Sequence, residues 1–222
     1  MKEKTHVYFM PGLAASPLIF EFITLPEQLF ELHYLEWMIP DSMDESLEQY
    51  VKRLSELIEF PNSILIGVSF GGVIVQELKK YVKPQKVIII SSIKNKYEMP
   101  LRMRFAQKTN AHKILPTTVL TNIEKYEKFA FTHSIKSRIR LYKKYLSMRD
   151  ALYLPWAIHT IVNWQRTDTD PEIIHIHGSY DFIFPEKYIQ NYIKIERGTH
   201  VMILDKAKRI SSLLEKILMS PV

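Results

Sequence analysis

The sequence predicts an α/β fold: a mostly parallel central sheet of about six strands, flanked by helices and interrupted by a helical insertion. Three observations lead there. Runs such as Thr5–Met10 (THVYFM), Ser63–Val68 (SILIGV) and Lys86–Ser91 (KVIIIS) are apolar at successive rather than alternate positions, so both faces of each strand need a cover. Stretches with apolar residues at helical spacing separate these runs, and strands alternating with helices build parallel sheets. Finally, the 222 residues contain only six glycines, where average usage of about 7% would give roughly 15. All six fall in four short loops.

Thr5–Met10 ends at Pro11-Gly12 and reads as a buried strand. Ser16–Phe30 is predicted helical, with Ser16-Pro17 as N-cap and first helical residue. Leu32–Trp37 reads as the second strand. Ser42-Met43-Asp44-Glu45 has the form of a capping box, and the helix after it would bury Leu47, Tyr50, Val51, Leu54, Leu57 and Ile58 on one face. Ser63–Val68 is a strand, Gly71–Val82 a helix and Lys86–Ser91 a strand. From Ile93 to Trp164 no strand is evident. Tyr126–Phe131 and Ile135–Met148 read there as amphipathic helices, with breaks at Pro100, Pro116 and Pro155. Strand character returns at Glu172–His177 and Tyr192–Glu196, and a last helix covers Val201–Leu218. The expected organisation is one domain over 1–222, with a core at about 5–92 and 165–218 and a helical lid at about 93–164.

Apolar residues make up 46% and charged residues 24% of the chain, ordinary values for a globular protein. No apolar run approaches the ~18 residues of a membrane span. The absence of cysteine removes disulfides, thiol nucleophiles and cysteine metal sites, and is compatible with a reducing cytoplasm. Met1–Lys4 carries an acid, and cleavage of a leader here would remove the Gly12 loop, so a cytoplasmic protein is expected. The net charge of +6 is uneven: Lys94–Arg149 holds 14 Lys and Arg against three acids. No nucleic-acid-binding module is recognisable.

The glycine loops carry the chemistry. Gly67-Val68-Ser69-Phe70-Gly71 is a G-x-S-x-G pattern with strand before it and helix after it, the setting of a nucleophile elbow. Serine needs a base to take its proton. His200 in Gly198-Thr199-His200 follows a strand end and precedes the last helix. Asp181 in His177-Gly178-Ser179-Tyr180-Asp181 follows another strand end and can fix the histidine tautomer. In these three motifs, and in the chain order Ser, Asp, His, the sequence resembles the serine-type α/β-hydrolase fold superfamily, with esterases and thioesterases as its nearest sense. The resemblance covers Thr5–Ser92 and Glu172–Leu218. It implies Ser69, Asp181 and His200 as catalytic residues, and the backbone N–H groups of Leu13 and Phe70 as the oxyanion hole. One departure stands out: many members have His-Gly where this chain has Pro11-Gly12. Proline supplies no side-chain hydrogen bond, which leaves the positioning of that loop open. The nucleophilic serine argues against the haloalkane and epoxide branches, which use aspartate there.

The remaining candidates are weighed against plainer roles. His175 and His177, two apart on one strand, have a spacing seen in zinc sites, but no third ligand is evident and no metal is expected. Met99, Met103, Phe105, Phe129, Phe131 and Trp156 could line an acyl pocket or simply form core. Arg102, Arg104, Arg138, Arg140, Lys143 and Lys144 could recognise an anionic substrate or present solvated faces; Arg102, Arg138 and Arg140 are taken as substrate-binding candidates. The function expected is hydrolysis of a carboxylic ester through an acyl-enzyme, with no cofactor and a small-molecule ester or thioester as substrate. Two alternatives stand beside it. One is a thioesterase or esterase for an anionic or carrier-bound acyl group, with an acidic carrier protein as partner. The other is a catalytically silent ligand-binding protein on the same fold.

Overall fold

The computed structural model describes residues 3–114 and 144–220. Six strands form one sheet: β1 (Thr5–Met10), β2 (Phe30–Tyr34), β3 (Ile64–Val68), β4 (Lys86–Ile90), β5 (Ile173–Gly178) and β6 (Ile193–Ile195). Their order is β2-β1-β3-β4-β5-β6 and every pair is parallel. Alternation along each strand divides the core into two layers. Tyr8, Met10, Leu65, Val87 and Ile89 face helices α1 (Leu47–Ser55), α2 (Phe70–Leu78) and α4 (Tyr153–Val162). Val7, Phe9, Ile66, Ile88, Ile90 and Ile176 face the other side, where α5 (Met202–Asp205) and α6 (Ala207–Met219) pack through Met202, Ile210 and Leu214. The segment between β4 and β5 also contributes α3 (Leu101–Thr109). No strand occurs among the described residues of 93–164. No helix among the described residues is long and apolar enough to cross a membrane.

Several predicted elements differ. Ser16–Phe30 forms only a 3-10 turn at Pro17–Phe20, which Ser16 caps by accepting from Leu18 N. Pro26 disfavours helix at the residue before it, and Thr24 N bonds Ser211 Oγ on α6 instead, at 3.0 Å. The capping box lies one turn beyond Ser42, at Ser46 and Gln49. The Glu45 carboxylate is already used, accepting from Asp41 N at 2.8 Å and pairing with Arg53 at 2.9 Å. Leu57, placed on the buried face by periodicity, lies past the helix end and is half exposed. The final helix is broken at Lys206, whose φ of −121° and ψ of 22° leave the helical region. Strand β2 begins and ends earlier than expected; Leu35 N still donates to Phe9 O at 2.9 Å, and the chain after it brings Trp37 over the C-terminal ends of the strands. There its indole reaches the loop after β1.

Candidate active site

Three loops at the C-terminal ends of β3, β5 and β6 meet at one point. Ser69 sits between β3 and α2 with φ of 53° and ψ of −120°, a conformation that costs a non-glycine residue on the order of 1–3 kcal/mol. The surroundings hold it there: Ser69 N donates to Ile90 O at 2.9 Å, and Ser69 O accepts from Ser92 Oγ at 2.7 Å and from Gly72 N at 2.9 Å. The glycines make the close approach possible. A Cβ on Gly67 would lie 2.2 Å from Gly71 O, and one on Gly71 would lie 2.3 Å from Pro11 O. The same device joins the other two loops, where a Cβ on Gly178 would lie 2.2 Å from Gly198 O.

His200 Nε2 lies 3.0 Å from Ser69 Oγ, and His200 Nδ1 lies 2.8 Å from Asp181 Oδ2. A carboxylate only accepts, so Nδ1 carries the proton and the Nε2 lone pair faces the serine hydroxyl. Asp181 is buried, and its Oδ1 accepts from Ile183 N at 2.8 Å and Phe184 N at 2.9 Å. These bonds fix the carboxylate plane before the histidine contact is made. The arrangement can take a proton from Ser69 and stabilise the resulting imidazolium.

Behind Asp181 stand His177 and His175, both buried. His177 Nε2 is 2.9 Å from Phe184 O, so that nitrogen donates, and His177 Nδ1 accepts from His175 Nε2 at 3.2 Å. Burial holds both imidazoles below the usual histidine range, His175 well below it. Their facing nitrogens are therefore spent on this chain of hydrogen bonds. Among the described residues His6, Glu31 and His33 also bring potential ligand atoms together. There, however, His6 Nδ1 and His33 Nε2 point at each other, 2.8 Å apart with ring centroids at 5.1 Å, so they form a hydrogen bond rather than converge on an ion.

Leu13 lies in the turn after β1, and Phe70 is the first residue of α2. Neither N–H makes a hydrogen bond among the described residues. Gly12 runs alongside Ser69, with the position of a Cβ 3.5 Å from Ser69 Cβ. Arg102 is anchored on the loop that follows β5 and carries Asp181, Nη2 donating to Phe182 O at 2.5 Å and Ile183 O at 2.8 Å. Lys144 pairs with Glu21 at 2.6 Å. Arg138 and Arg140, with Lys143, Phe129 and Phe131, lie outside the described residues. Trp156 is core: it is fully buried and donates from Nε1 to Glu45 O at 2.8 Å. Phe105, by contrast, is largely exposed. Two side chains that sequence reasoning did not connect to the site, Trp37 and Tyr153, contact the Gly12–Ala14 turn. No motif marks them.

The parallel order of the strands, with these loops gathered at their C-terminal ends, defines the α/β-hydrolase fold. The chain is similar to a bromoperoxidase from Bacillus anthracis, at 18% identity over 98% of this chain and 93% of that one, TM-score 0.70. It is also similar to a thermophilic esterase from Thermogutta terrifontis (12% identity, 96% of this chain, 89% of that one, TM-score 0.65). An epoxide hydrolase from Bacillus megaterium matches at 12% identity over 98% of this chain and 94% of that one, TM-score 0.64. No protein-family model and no curated protein sequence matches the chain. At these identities the likeness establishes the fold.

Proposed function

We propose that the protein is a serine hydrolase that cleaves a carboxylic ester through an acyl-enzyme. The observation that carries this reading is the Ser69–His200–Asp181 hydrogen-bonded chain, with contacts of 3.0 and 2.8 Å, built on a strained elbow. Ser69 Oγ attacks the ester carbonyl as its proton passes to His200 Nε2. The tetrahedral oxyanion is held by the Leu13 and Phe70 N–H groups, each worth on the order of 10²–10³ in rate. His200 then gives its proton to the leaving alkoxide. Water repeats the sequence on the acyl-enzyme and releases the acid. No step calls on a cofactor. The esterase named among the similar structures agrees with this chemistry.

Intact-mass measurement after exposure to a small fluorophosphonate tests the reading, with Ser69→Ala in parallel. One adduct on the wild type and none on the variant is expected. An unreactive wild type refutes the reading and favours a ligand-binding protein on the same fold. The basic stretch Lys94–Arg149, with 14 cations and three acids, supports a second form of the same chemistry in which the acyl group is anionic or carrier-bound. Arg138→Glu with Arg140→Glu should then raise KM for a carboxylated ester while sparing a neutral one; equal effects on both dismiss it.

A further inference from the structure

We propose that Trp37 and Tyr153 are positioning residues that set the oxyanion hole; the inference rests on the serine-hydrolase reading above. Gly12–Ala15 is a turn closed by Ala15 N donating to Gly12 O at 2.9 Å. Its third residue, Ala14, has φ of 62° while Leu13 does not share that sign, which makes it a type II turn. That position normally takes glycine or asparagine, so alanine needs outside support to stay there.

The support comes from two aromatic side chains. Trp37 Nε1 donates to Gly12 O at 2.8 Å. Gly12 C=O and Leu13 N–H belong to one peptide unit, and no cis peptide occurs among the described residues, so the two groups point in opposite directions. Holding the carbonyl on the buried indole therefore turns the Leu13 N–H the other way, in a loop that lies against Ser69. Tyr153 Oη accepts from Ala14 N at 3.2 Å and so holds the next peptide unit. Trp37 also stacks on Phe70, the residue that carries the other oxyanion donor, with centroids 5.1 Å apart and planes at 9°. One indole thus touches both halves of the hole. Tyr153 arrives from α4, in the segment between β4 and β5, and ties that segment to the same turn. Together they supply the loop support that Pro11 cannot give through a side-chain hydrogen bond.

Tyr153→Phe removes only the hydroxyl, and Trp37→Phe removes the indole N–H. With a p-nitrophenyl ester as probe, each variant should lose at least about tenfold in kcat with KM within about twofold, because the hole acts on charge present only in the transition state. Amide exchange at Ala14 should quicken in Tyr153→Phe while that at Ser69 stays protected. Tyr8→Phe is the structural control. Its hydroxyl likewise accepts from a backbone N–H, that of Glu59 at 3.2 Å, in a loop that carries none of the site residues, and kcat should be unchanged. The proposal is overturned if Tyr153→Phe keeps kcat within twofold, or loses no more than Tyr8→Phe; should Trp37→Phe fail to fold, Tyr153→Phe decides alone. A wild type that neither cleaves esters nor labels at Ser69 removes the functional reading and this proposal with it. An active wild type with unchanged variants removes this proposal alone.

Discussion

Replacing Asp181 with asparagine should nearly abolish turnover while leaving the protein folded. Asp181 uses its two oxygens differently: Oδ1 accepts two backbone N–H groups, at 2.8 and 2.9 Å, and Oδ2 accepts from His200 Nδ1 at 2.8 Å. An asparagine must put its carbonyl oxygen toward the two backbone donors, because its NH₂ there would meet two N–H groups. The NH₂ then faces His200, and Nδ1 has to become an acceptor. The imidazole proton moves to Nε2, the nitrogen 3.0 Å from Ser69 Oγ, and a protonated Nε2 cannot take the serine proton. Loss of this tautomer in a serine triad lowers kcat by about 10⁴, equivalent to about 5.4 kcal/mol in activation free energy. The two backbone bonds survive, so the stability loss should stay near 1–2 kcal/mol. Steady-state hydrolysis of a p-nitrophenyl ester, with a urea melt beside it, measures both. A variant within tenfold of wild-type kcat would mean that the Asp181–His200 contact does not set the histidine tautomer during turnover, and the mechanism would need another acid.

Gly71→Ala should prevent folding, since its Cβ would lie 2.3 and 2.4 Å from the Pro11 and Met10 carbonyl oxygens. Gly12→Ala, whose nearest contacts would be 3.5 and 3.6 Å, should melt within about 1 kcal/mol of wild type; the pair is read by soluble yield and urea midpoint. Stability should fall as pH drops below about 6.5. His175 and His177 have folded-state pKa values below those of the unfolded chain, so in that window the unfolded chain binds more protons. The slope reaches at most about 1.4 kcal/mol per pH unit for each such histidine, where the unfolded residue is protonated and the folded one still neutral. Urea midpoints at pH 7.5, 6.0 and 5.0 test this, and His175→Gln should flatten the dependence. Arg197 is exposed and has φ of 55°. Arg197→Gly should therefore raise the melting temperature, relief of about 1–2 kcal/mol of left-handed strain outweighing about 0.5–1 kcal/mol of added chain entropy; a lower melting temperature contradicts the assignment.

Strands β1, β3 and β4 were legible because each is largely apolar on both faces, a pattern that requires a covered parallel sheet. The three site loops were legible because glycine is scarce elsewhere, so its positions stand out. Ser16–Phe30 misled because its apolar spacing fits a helix, while Pro26 and the Thr24–Ser211 bond act against one. Capping was misplaced because Ser42-x-x-Glu45 and Ser46-x-x-Gln49 have the same form, and what separates them is that Glu45 is taken up by Asp41 N and Arg53. Trp37 and Tyr153 were invisible for a different reason. Their significance lies in what they touch, and Tyr153 meets Ala14 across 139 residues of sequence. The same holds for Arg102, whose carbonyl partners lie 80 and 81 residues away.

Glycine serves two purposes in a chain, taking positive φ or letting backbones approach closely, and no glycine in the described structure has positive φ. Close approach is what they supply, at β3 against the start of α2, at α2 against the loop after β1, and at β5 against the histidine loop. Among the described residues positive φ falls instead on six others: Asn110 at the end of α3, Asn191 before β6, and Ala14, Ser69, Ser91 and Arg197 in loops at the C-terminal ends of strands. Glycine at these positions would adopt the same backbone with less strain, but with more freedom to leave it. A residue with a Cβ stays there only while neighbours hold it: Ser92 and Ile90 hold Ser69, Tyr153 holds Ala14, and Ile176 O accepts from Ser91 N at 3.1 Å. The tight glycine contacts keep those neighbours at the required distance. Close packing and strain are thus one arrangement, in which removing a Cβ lets the loops approach and retaining one makes their conformation depend on that approach.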